Sequence, residues 1–82
     1  MRKEIIHSLE REKKISQLAI DHLKDQLKNF ERKFRWSTFE FLEKFNNGSI
    51  GDDEAFFKWY ALAQALKDWQ TTKEALEEAI VS

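Results

Sequence analysis

The chain has 82 residues, 35% of them charged and 41% hydrophobic, with a formal net charge of −1, no proline, two glycines and no cysteine. That is room for one domain, and the lack of cysteine excludes disulfides and thiolate metal sites. The longest unbroken apolar run, residues 59–63, is far short of the roughly 20 residues a membrane span needs.

The start of the chain, Met1-Arg2-Lys3-Glu4-Ile5-Ile6-His7, lacks the apolar core of a signal peptide, so a soluble cytoplasmic protein is expected. The composition suits long helices rather than disorder. A domain of this size excludes water only modestly by itself, and small folds without staples lean on a partner chain. A second copy is the first expectation.

Residues 3–34 are predicted to form one long helix. Taken in alternating steps of four and three, Ile6, Leu9, Lys13, Ser16, Ile20, Leu23, Leu27, Phe30 and Phe34 form a seam in which seven of nine positions are apolar. Ile5, Ile15, Leu18 and Ala19 add a flanking stripe. At 1.5 Å per residue the helix would be about 48 Å long, and something must cover its seam.

Ser37-Thr38-Phe39-Glu40 is an S-x-x-E capping box that opens a short helix over residues 38–46. Phe39, Phe41, Leu42 and Phe45 make its apolar side. Asn46-Asn47-Gly48 closes it, because Asn and Gly tolerate a left-handed C-cap. Ser49-Ile50-Gly51 is then a tight connection, with Gly48 and Gly51 as its turn residues. Asp52 is the expected N-cap of the third helix, and Asp53 and Glu54 complement its dipole from the first turn. This acidic run lacks the spaced oxygen ligands and terminal glutamate of a calcium loop.

The third helix is predicted over residues 53–80, with a seam of Ala55, Trp59, Leu62, Leu66, Trp69, Lys73, Leu76 and Ile80. Phe56, Phe57, Tyr60, Ala61, Ala63 and Ala65 widen the first half until it is apolar nearly all round. Such a helix is buried on more than one side. The fold class is therefore all-α: long helix, short helix, long helix in one domain, residues 1–82. The long helices form an antiparallel hairpin, and two hairpins are expected to dimerise into a four-helix bundle.

Charge is divided along the chain. Residues 1–36 carry ten Lys/Arg and six Asp/Glu, or +4; residues 37–82 carry four and nine, or −5. Two helices lying side by side explain this division. A nucleic-acid contact through Lys24, Lys28, Arg32, Lys33 and Arg35 is the alternative, weakened by the six interspersed acids.

No serine, lysine or acid stands in a nucleophilic pattern, and catalysis, a cofactor and a small-molecule substrate are not expected. His7 and His22 lie fifteen residues apart, too far to share a metal as neighbours. His22 and Asp25, three apart, could be half of a site completed by symmetry, but a solvated helix face explains them, and no metal is expected. Three tryptophans in so short a chain exceed what packing alone requires. The candidate partner or dimer interface is Phe56, Phe57, Trp59, Tyr60 and Trp69, since aromatics anchor protein interfaces.

Residues 28–62 also carry a resemblance. Phe30-Glu31-x-Lys33-Phe34, Ser37-x-x-Glu40-Phe41, Lys44-Phe45 and Gly48-x-Ile50-Gly51-Asp52-Asp53-x-x-Phe56-Phe57-x-Trp59 look like small archaeal and bacterial antitoxin-like proteins. In that family a short helix, a Gly-x-[Ile/Leu]-Gly-Asp turn and a Trp-bearing helix follow one another. The resemblance implies a protein that binds and restrains a toxin partner. One departure stands out: the family tends to have glycine at the end of the first helix, where this chain has Arg35 and Trp36. With no glycine there, a left-handed C-cap is not expected at that turn.

Overall fold

A computed structural model describes residues 2–81. It contains three helices, α1 (Lys3–Phe34), α2 (Thr38–Asn46) and α3 (Glu54–Val81), and no strand among the described residues. The helix bounds fall within a residue of the periodicity reading. α1 and α3 run antiparallel. Phe34 meets Phe56 and Phe30 meets Trp59 at the turn end, while Lys13 and Ile80 share a groove toward the open end. The result is a rod with extents of 52 × 21 × 17 Å.

Both predicted seams face inward. On α1, Ser16, Ile20, Leu23 and Leu27 are buried, and the other five seam positions are half-buried. Ser16 is tolerated there because its hydroxyl donates to the Glu12 carbonyl at 2.9 Å, so the buried group keeps a partner. The flanking stripe behaves otherwise. Ile5, Ile15 and Leu18 stay exposed, Leu18 at 69%.

The α1–α2 junction departs from expectation. Arg35 takes φ 60° and ψ 34°, a left-handed C-cap, and its N–H donates to the Glu31 carbonyl at 2.8 Å. A side chain in this region costs about 1–2 kcal/mol. The turn offsets that cost by placing Trp36 over the core. Its ring lies 6.0 Å from both Phe34 and Phe56, with the Lys44 ammonium 5.4 Å from its centroid.

At the other end of α2 the chain closes as the sequence implies. Gly48 carries φ 71°. The Ser49 N–H donates to the Lys44 carbonyl and the Gly48 N–H to the Phe45 carbonyl, the two bonds of a Schellman cap. Gly51 is different: it has no positive φ, and a Cβ there would meet nothing within 4 Å. Its role as an obligatory turn glycine is not supported.

The N-cap of α3 shifts by one residue. Asp53, not Asp52, accepts from the Ala55 N–H through Oδ1 at 2.9 Å, and its carbonyl receives the Phe56 N–H. An N-cap side chain reaches the N–H two or three positions on, and α3 begins at Glu54, which leaves Asp52 one residue too far out.

Candidate functional site

The turn end of the hairpin is built around Trp59, which is wholly buried. Its ring stacks on Phe41 of α2 at 4.1 Å between centroids, with the planes 4° apart. From α1, Phe30 and Phe34 stack against it at 5.6 and 5.7 Å. Phe41 is itself fully buried, and Leu27 and Phe56 complete the enclosed core. Stacked and tilted aromatic pairs in this distance range contribute about 0.5–1.5 kcal/mol each beyond their buried area.

A polar chain ties the same three helices together. The Trp59 indole N–H donates to the Thr38 hydroxyl at 3.2 Å. That hydroxyl donates to the Glu31 carboxylate at 2.9 Å, and the Thr38 backbone N–H donates to the same oxygen at 2.7 Å. Glu31 thus caps α2 from α1, a role that spacing alone did not reveal, because the residues lie seven apart across a turn. Ser37 supplies the second cap and accepts from the Glu40 N–H at 3.0 Å. The return half of the box differs from expectation: Glu40 Oε1 lies 3.4 Å from the Ser37 hydroxyl. Among the described residues no buried side-chain polar atom lacks a partner.

The structure sorts the predicted interface residues. Phe56 and Trp59 belong to the monomer's own core and cannot meet a partner without opening it. Tyr60 is half-buried and stacks on Phe45 at 4.6 Å. Phe57 is 55% exposed and meets Phe45 only edge-on. Trp69 is half-buried, about three turns beyond Trp59 on α3, and shares a shallow groove with Glu12 of α1.

Phe39 was expected on the apolar side of α2 but is 71% exposed. Residues two apart on a helix point about 200° apart, so Phe39 and Phe41 cannot both face the core, and Phe41 takes it. The exposed aromatics at this end are therefore Phe39 and Phe57, with Tyr60 and Leu42 half-covered.

Toward the end of α1, Lys24, Lys28 and Arg32 share one stripe at four-residue intervals, with Asp21 and Asp25 among them at helical spacing. Lys33 turns its ammonium over the Phe34 ring at 5.4 Å. Among the described residues no three His, Asp or Glu side chains gather where a metal ion could be held. No helix of the described residues is long and apolar enough to cross a membrane.

No protein-family model, curated protein or solved structure matches the chain. The antitoxin-like resemblance stands on the motif residues alone.

Proposed function

We propose that this chain is a non-enzymatic protein–protein interaction module. It works as a homodimeric four-helix bundle that binds and restrains a protein partner in the manner of an antitoxin. One observation carries the reading: beside a finished aromatic core, two large aromatics, Phe39 and Phe57, are left in water at the turn end. The core does not need them. Exposed aromatics on a rigid scaffold fit the anchor residues of interfaces, and an exposed apolar patch signals interaction.

The shape supports binding a macromolecule. The grooves along the rod are shallow and open, unlike the clefts that enclose small molecules. The test is co-purification from native cells with a tagged chain. A defined protein should accompany the wild type and be lost from a Phe39→Ala/Phe57→Ala variant whose helicity is unchanged. Retention of that protein by the double variant would remove these aromatics from the interface.

A further inference from the structure

The exposed ring of Phe57 does not stand alone. It meets Phe45 of α2 edge-on at 5.8 Å between centroids, and Phe45 stacks on Tyr60 at 4.6 Å. Phe45 and Tyr60 are both half-buried. Aromatics of two helices thus form one face in ring-to-ring contact. Residues two apart on a helix point about 200° apart. Trp59 turns into its stack with Phe30 and Phe34 of α1, so Phe57 points away from α1.

The charge beside this face is mostly of one sign. Asp52, Asp53 and Glu54 lead into α3, and all three are exposed. Asp53 and Glu54 stand four and three residues before Phe57, one turn away along the same side of the chain. Asp53 is spent partly on the cap of α3. Among the described residues the one ion pair joins Lys73 to Glu77, so no cation sits on Asp52, Asp53 or Glu54. Lys58 is the nearest base in sequence, about 100° round the helix from Phe57. With it, residues 52–58 carry three Asp/Glu and one Lys, a net −2. Lys44 lies over the Trp36 ring. Arg32, Lys33 and Arg35 belong to α1 and its C-cap, the helix that Phe57 points away from.

We infer that this face receives a basic amphipathic segment of the protein partner. Its apolar anchor would lie on Phe57, Phe45 and Tyr60, and a Lys or Arg beside the anchor would meet Glu54 and Asp52. The inference rests on the interaction-module reading above and names the chemistry of the partner. Two attractions converge on a cation here. Exposed aromatic rings draw positive charge to their faces, and the carboxylates one turn away do the same. A purely apolar segment would strip water from those carboxylates without pairing them. An acidic segment would add like-charge repulsion.

The test uses the full chain and two fluorescein-labelled amphipathic helical peptides with the same Leu and Trp positions. One carries Lys and Arg on its polar side, the other Glu. Fluorescence anisotropy at low salt should show the basic peptide bound and the acidic one not. Phe57→Ala should weaken the basic peptide about 10-fold. Asp52→Asn/Glu54→Gln, which leaves the Asp53 cap in place, should weaken it about 5-fold, and that loss should shrink in high salt. Equal binding of both peptides, lost in Phe57→Ala, would keep the face as an interaction surface and overturn its preference for a basic segment alone. Binding of neither peptide, or binding that Phe57→Ala leaves untouched, would overturn the inference, whereas the co-purification above judges the interaction-module reading by itself. A Phe57→Ala chain that falls from dimer to monomer mass would give the face to a second copy and overturn the inference as well.

Discussion

The indole of Trp59 donates to the hydroxyl of Thr38 at 3.2 Å, and through it α3 is coupled to the carboxylate of Glu31 on α1. Two residues 21 positions apart therefore fix how all three helices meet. Thr38→Val should leave the buried indole N–H without an acceptor and the Glu31 carboxylate with one donor fewer, while the residue-38 backbone N–H keeps its bond to Glu31, at a cost of about 1–3 kcal/mol. Chemical denaturation checks this. In a double-mutant cycle, Thr38→Val should cost clearly less in a Trp59→Phe background than alone. Equal costs in both backgrounds would mean that the bond contributes nothing.

Trp59→Ala should be the most damaging single change in the turn end. The ring is fully buried and contacts aromatics from both other helices, so its loss should cost about 3–5 kcal/mol. Phe57→Ala, at an exposed position, should change stability by no more than about 0.5 kcal/mol. Thermal melts of the two variants should separate sharply.

Arg35 holds a left-handed conformation that glycine adopts without penalty. Arg35→Gly should therefore raise stability by up to about 1 kcal/mol, read as a shift in the urea midpoint at unchanged slope. A fall in stability would show that the Arg35 side chain contributes more than its backbone strain costs.

The cap of α3 distinguishes two neighbouring carboxylates. Asp53→Ala should cost about 1 kcal/mol, because Asp53 accepts from the Ala55 N–H. Asp52→Ala should be close to neutral. Unfolding curves measured side by side decide between them, and a larger loss at Asp52 would contradict the observed cap.

Much of this architecture is legible in the residues. The heptad steps from Ile6 to Phe34 and from Ala55 to Ile80 mark the inward faces, because period alone sets which side chains share a face. The cap at Ser37 and the break at Gly48 mark the bounds of α2 for equally local reasons. What escapes the sequence is tertiary. Nothing local says that Glu31 reaches Thr38 across a turn, or that Arg35 accepts a strained conformation so that Trp36 can cover Phe34 and Phe56. The candidate surface was only half legible. The density of aromatics at 56–60 marks the aromatic end of the molecule, but four aromatics side by side on one helix cannot reveal which two the core consumes. Phe39, placed with the buried side of its helix, proves to be the most exposed aromatic of that end.

The central claim, that this hairpin pairs with a second copy through surfaces its own core leaves bare, meets its most direct test in solution mass. Light scattering across micromolar concentrations should give twice the 9.8 kDa of one chain. A stable, well-folded particle of a single chain throughout that range would contradict the account.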